Sequence, residues 1–145
     1  MIKEAYVSFE VAKLLEEKGF EIDTNKDYWK IGEDGTMYFM CSIGAYTSNP
    51  NNKLAFYRPE NSYPCPTLQM AMAWLREKDI SIEPSALNAH SWAYTIYKLL
   101  NNKVKELYND GGFDSYEDAV EAALKYCLEN LFDLINKSYG TRKQT

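Results

Sequence analysis

One histidine and three cysteines are the residues of this chain best suited to chemistry near neutral pH. His90 stands in NAHSWAYTIY, just ahead of a strand-like run, where an imidazole could act as a general base. Cys65 stands in SYPCPTLQ, between Pro64 and Pro66 and just upstream of a helix start whose dipole can lower a thiol pKa. A Cys65 and His90 pair would make a small hydrolase with a cysteine nucleophile, provided that the fold brings the two loops together. Ordinary structural roles explain both residues more simply. A loop histidine is a common surface residue, and prolines on either side of Cys65 set an extended entry into the helix. Cys41, Cys65 and Cys127 match no zinc-ligand spacing and leave an odd thiol under any disulfide pairing. No metal site is expected, and a reducing compartment fits best. The carboxylate pairs Glu16 with Glu17 and Glu117 with Asp118 fall at helix surfaces and ends, where solvation and the helix dipole account for them. The glycine-rich phosphate and dinucleotide loops, the nucleophile elbow and the HExxH zinc motif are absent from the sequence. No cofactor is therefore expected, and the balance is against an enzyme.

Aromatic residues offer a different chemistry, that of recognition. Tyrosine accounts for 12 of 145 residues. In SWAYTIYKLL, alternation puts Trp92, Tyr94 and Ile96 on one sheet face and Ala93, Thr95, Tyr97 and Leu99 on the other. Tyr38, Tyr57, Trp92 and Tyr94, with Arg58 beside Tyr57, are the candidate binding residues. On an exposed face they would resemble the anchors of a protein interface or the walls of a ligand pocket. The competing assignment makes all four aromatics core, because large rings in strands usually serve packing.

These side chains need elements to hold them. SFEVA, TLQMA and SYEDA each open with a hydroxyl residue, Ser8, Thr67 and Ser115, that can accept a hydrogen bond from an orphan amide of a first helical turn. Three helices are expected. The first runs from about Phe9 to Lys18 and stops at Gly19, which suits a left-handed cap. The second carries Leu68, Ala71, Met72 and Leu75 at helical spacing, with Met70 and Trp74 widening the stripe. The third keeps the helical period from Tyr116 to about Asn136.

Between helices the period is two. Segment 28–32 and TMYFMCSI are expected to form a hairpin through Asp34 and Gly35, followed by LAFYR at 54–58. ISIE at 80–83, SWAYTIYKLL at 91–100 and VKELY at 104–108 give three more strands, the last two joined through Asn101 and Asn102. The expected order is α-β-β-β-α-β-β-β-α, an α+β fold with a mainly antiparallel sheet and helices packed on one face. LEEKGFEI at 15–22 resembles LREKDISI at 75–82, which would fit a weak internal duplication. Helix 2 needs one extra residue to match, however, and the helix starts are unevenly spaced, so this is no regular solenoid.

A chain of this length is the size of one domain, with 46% hydrophobic and 26% charged residues in the ordinary globular range. Residues 1–137 are expected to form that domain and 138–145, ending in TRKQT, a flexible tail. The net charge of −5 disfavours a grip on nucleic acid. No run is long and apolar enough to span a membrane, and MIKEAYVSFE lacks the apolar core of a signal peptide, so a cytoplasmic protein is expected.

YVSFEVAKLLEEKGF, PTLQMAMAWLREKDISI and SYEDAVEAALKYCLENL, in that order, resemble a family of short proteins that recur in phages and prophages of Bacteroidales bacteria. The likeness covers most of the regular structure and is less clear from about Tyr28 to Pro64. It implies a phage-type context in a bacterial host cell. It implies no activity, ligand or site residue, because that family has no assigned function. Joined to the missing catalytic motifs and the aromatic strands, it leads to the expectation of a non-enzymatic accessory protein that binds a host or phage protein. A sheet edge or face would also serve a homodimer. The alternative is a small-molecule binder that sequesters a nucleotide signal of host defence, with Arg58, Arg76 and Lys98 as the candidates to hold phosphates. The Cys65 and His90 hydrolase is the third.

Overall fold

The computed structural model describes residues 4–21, 26–31, 36–41, 46–47, 56–57 and 62–135, with side chains for 4–21 and 63–135. The chain divides into two compact units, residues 1–70 and 71–145.

In the first unit α1 (Phe9–Glu17) follows an extended Ser8, whose Oγ accepts from the Val11 N–H at 3.2 Å. Satisfying that orphan amide fixes where the helix begins. Val11, Ala12 and Leu15 are buried on one side. The helix ends as its sequence predicts. Gly19 has φ +96° and donates its N–H to the Glu16 carbonyl at 3.1 Å, while the Phe20 N–H reaches the Leu15 carbonyl at 2.9 Å. These two bonds satisfy carbonyls that the last turn would leave open, and the buried pair Leu15 and Phe20 closes over them.

Beyond α1, β1 (Lys26–Ile31) and β2 (Thr36–Cys41) pair antiparallel with Ile31 opposite Thr36, the expected hairpin. Within LAFYR the described residues are β4 (Phe56–Tyr57), a strand that pairs in parallel with β3 (Tyr46–Thr47); Leu54, Ala55 and Arg58 lie outside the described residues. An additional strand, β5 (Ser62–Pro64), lies antiparallel to β1 and gives the order β2-β1-β5. Pro64 is tolerated there because β5 is an edge. The segment entering α1 pairs with the segment entering α2, through Val7 N–H to the Pro66 carbonyl at 3.1 Å and Leu68 N–H to the Ala5 carbonyl at 3.0 Å. Phe9 meets Tyr63 edge-on at 5.4 Å between ring centroids.

Helix α2 (Leu68–Arg76) begins in the first unit and ends in the second. Thr67 Oγ1 accepts from the Met70 N–H at 3.1 Å, the counterpart of Ser8. Leu68, Ala71, Met72, Trp74 and Leu75 are all buried, as the wide stripe requires.

The second unit is built on an antiparallel meander of β6 (Ile80–Asn88), β7 (Ser91–Leu99) and β8 (Val104–Phe113), in that order. Two strands outrun their expected lengths. β6 continues through Pro84, which an outer strand accepts because the missing N–H would point away from the ladder. β8 continues through Asn109, Asp110, Gly111 and Gly112, a run that reads as a turn but is spent on a bulge. Gly112, at φ +86°, is the extra residue between the pairs Trp92 with Phe113 and Ala93 with Gly111. A second irregularity leaves Leu107 extra between the pairs Ile96 with Tyr108 and Tyr97 with Glu106.

Helix α3 (Tyr116–Tyr126) packs against all three strands. Ser115 caps it, accepting from the Asp118 N–H at 3.0 Å, and Glu117 and Asp118 favour the positive end of the dipole. Ala119, Val120, Ala123 and Leu124 are buried, and the two alanines allow close approach to the sheet. The expected uninterrupted helix is broken by a π-helical turn, Cys127–Leu131, where the Phe132 N–H reaches back to the Cys127 carbonyl. Asn130 Nδ2 donates to the Tyr126 carbonyl at 3.1 Å and so competes for the acceptor of an ordinary α-turn. Helical structure resumes over 132–135. The fold is thus α+β and mainly antiparallel, with β3 and β4 the parallel pair among the described strands, and the likeness of the two phrases covers a helix and its exit.

Candidate functional site

Alternation along β7 separates two faces, and α3 covers the one that carries Trp92, Tyr94 and Ile96. Tyr94 is 2% exposed. Its ring lies 5.6 Å from Phe113 and 6.2 Å from Tyr108, and Tyr108 stacks on Tyr126 of α3 at 3.7 Å with planes 7° apart. Trp92, half-buried, meets Tyr116 edge-on at 5.5 Å. Burial first, and then the carboxylate of Asp110 on the neighbouring strand, push the Tyr94 phenol up to about 12. Tyr94 is a core residue and not an exposed anchor, because the rings of β7 and β8 fill the space that α3 closes. Trp92 lies at the margin of the same cluster. The backbone of Tyr38 lies in β2 and that of Tyr57 in β4, but their side chains, like Arg58, are outside the described residues.

On the opposite face the side chains of Ala93, Thr95, Tyr97 and Leu99 are half-exposed. Register places Ser81, Glu83 and Ser85 beside them on β6, and Val104, Glu106, Asn109 and Gly111 on β8. Gly111 confirms the side: a Cβ there would stand 3.3 Å from Ala93 Cβ and 3.6 Å from Leu87 Cδ1. Leu87, 61% exposed, therefore lies on this face, and Val104 is 57% exposed at its other end. Glu83 and Glu106 are both exposed, and Glu106 Oε2 accepts from Asn109 Nδ2 at 3.4 Å. Lys98 and Lys105 sit opposite one another on the side turned to α3. Sequence alternation separates Tyr97 and Leu99 from the aromatic face. It does not deliver Leu87, Glu106 or Asn109 as their neighbours, which requires the full strand lengths and the bulges.

The thiol and imidazole candidates stand in contrasting settings. Cys65 is 0% exposed and its Sγ donates to the Val7 carbonyl at 3.4 Å, which suits packing rather than attack on an incoming substrate. His90 is exposed in the turn between β6 and β7, where its backbone N–H donates to Asn88 Oδ1 at 2.8 Å. Burial pushes the Cys127 thiol up to about 12, which keeps it protonated and inert. Cys41 closes β2. Of the phosphate candidates, Arg76 is exposed at the end of α2 and Lys98 is half-buried in β7. Among the described residues no group of three or more His, Cys, Asp or Glu side chains could hold a metal ion, and no helix is long and apolar enough to cross a membrane. No protein-family model, curated protein or solved structure matches the chain.

Proposed function

We propose that this protein is a non-enzymatic binding module of phage type that works in the bacterial cytoplasm by holding a host or phage protein. The observation that carries the binding reading is the outer face of the β6-β7-β8 sheet. Thr95, Tyr97 and Leu99 lie half-exposed there between the exposed side chains of Leu87 and Val104. An aromatic ring and aliphatic groups on a rigid sheet are suited to docking, since little side-chain freedom is lost on contact. The phage context is supported by the sequence resemblance alone. Against the hydrolase stands the burial of Cys65.

The outer strands speak to how a partner would dock. Pro84 removes a donor from β6, and the bulges interrupt the regular ladder of β8. Strand addition at these edges is disfavoured, which leaves the face as the better surface. A second copy docked face to face would set Glu83 and Glu106 against their own kind, so a different protein fits better than a homodimer. Native mass spectrometry of the purified chain, before and after incubation with bacterial host lysate, tests the reading. A gain of many kilodaltons is the expected result. A gain of a few hundred daltons would replace it with the nucleotide-signal binder, and no gain would count against both.

A further inference from the structure

We infer that the partner presents a basic surface, with lysine or arginine side chains that meet Tyr97 between Glu83 and Glu106 while apolar groups cover Leu87, Leu99 and Val104. This rests on the binding reading above and names the chemistry of the partner. The two faces of the sheet differ in charge: Lys98, Lys105 and Asp110 stand on the side turned to α3, and of the charged residues only carboxylates stand outward. Every charged residue at an outward strand position of this sheet is a carboxylate: Glu83 on β6 and Glu106 on β8. The lysines of the same central and outer strands, Lys98 and Lys105, pair with each other on the side turned to α3. Tyr97 lies directly across from Glu106, and Glu83 is across from Thr95, its neighbour on that face. A cation above a tyrosine ring is attracted by the ring's electron-rich face, and two carboxylates within reach add to the attraction. The same carboxylates repel nucleic acid, other acidic proteins and a second copy of this chain.

The test uses the full chain, isotopically labelled, and two synthetic pentapeptides of the same apolar content, acetyl-KLKLK-amide and acetyl-ELELE-amide. Titration followed by backbone amide NMR is expected to show that the lysine peptide moves signals of residues 81–87, 95–99 and 104–109, and that the glutamate peptide moves none of them. The E83K/E106K double variant should weaken binding about tenfold or more, and the E83Q/E106Q variant, which leaves the shape of the face alone, by a smaller factor. Y97A should cost about threefold to fivefold. E117K/E129K, which changes net charge equally at exposed positions of α3 and the π-helical turn, should leave affinity unchanged.

Shifts at other residues, equal response to both peptides, or equal loss in the two lysine variants would overturn the inference. Concentration-dependent shifts of this face without peptide would do so too, by making a second copy the occupant. If a host protein is captured as strongly by E83K/E106K as by the unmodified chain, the basic partner is ruled out while the binding reading survives.

Discussion

The chain leaves α1 and α2 through turns of the same kind, and comparison of the two shows how differently such a turn can be secured. Gly19 and Asp79 occupy matching places in LEEKGFEI and LREKDISI. Both have positive φ, +96° and +62°, and both donate an N–H to the carbonyl three residues back, Glu16 at 3.1 Å and Arg76 at 3.0 Å. A buried apolar residue follows each, Phe20 and Ile80. At Gly19 the left-handed backbone needs no external support, because glycine has no Cβ to clash. At Asp79 a side chain must be held in a conformation that ordinary residues avoid. The sheet does this: the Asp79 carbonyl accepts the Leu99 N–H at 2.8 Å, and Ile80 opens β6 opposite Lys98. One exit is written in local sequence and the other is imposed by strand pairing.

The largest effect on this contrast is expected from Phe20→Ala. It removes a buried ring from the closure of the first exit and should cost about 3–5 kcal/mol in a denaturant titration. Next comes Gly19→Ala, at about 1–2 kcal/mol. Nothing lies within 4 Å of a Cβ at Gly19, so that cost is conformational, and a matching loss with Gly19→Ser would confirm its origin. Loss of either helix cap, Ser8→Ala or Thr67→Ala, should cost about 1 kcal/mol, and similar values would show that the two helix starts are equivalent although their exits are not. Asp79→Gly works in the opposite direction. It relieves strain but frees the unfolded chain, for a net gain of up to about 1 kcal/mol. A loss there would mean that the aspartate side chain itself holds the turn.

The smallest effect at neutral pH belongs to Tyr94→Phe, which deletes only a hydroxyl from the strand that pins Asp79 and should change stability by less than about 1 kcal/mol. Its signature lies at high pH. The folded chain holds Tyr94 at about 12 against an ordinary 10.0, and Cys127 at about 12 against 9.0. Both groups keep their protons longer when folded, so their stabilisation is fully present below the unfolded values and is lost as pH rises towards the folded ones. Unfolding free energy should be insensitive to these groups below pH 9 and fall between 9 and 12. Tyr94→Phe should remove the part of that fall that begins near 10.

This contrast also bounds what the sequence makes legible. Ser8, Thr67, Ser115 and Gly19 act within a few residues of themselves, and each is readable from its neighbours. Asp79 is not, because an aspartate after a helix names no backbone conformation until a strand fixes it. Pro84 and the NDGG run look like stops because the rules for proline and glycine assume a central, regular strand. An outer strand and a bulge are the circumstances that suspend them. The separation of β7 into two faces follows from alternation, yet which face is covered depends on α3, and the aromatic-rich one is the covered one. The outer face becomes visible only when pairing brings Glu106 beside Tyr97 and Leu87 over Gly111.

The π-helical turn at Cys127–Leu131 carries a consequence for the length of the chain. It holds one residue more than an α-turn would, and Glu129 and Asn130 are both exposed. Just beyond it Phe132 stacks on Trp74, 5.3 Å between centroids and 14° between planes, with Lys78 Nζ 4.9 Å from the same indole. A shortened chain that lacked Asn130 would lose the side chain that competes for the Tyr126 carbonyl and could close an ordinary turn with Phe132 still directed at Trp74. Deletion of Asn130 is therefore expected to convert the π-turn to an ordinary helical turn and leave the Trp74 and Phe132 stack in place, which a near-unchanged denaturation midpoint would show.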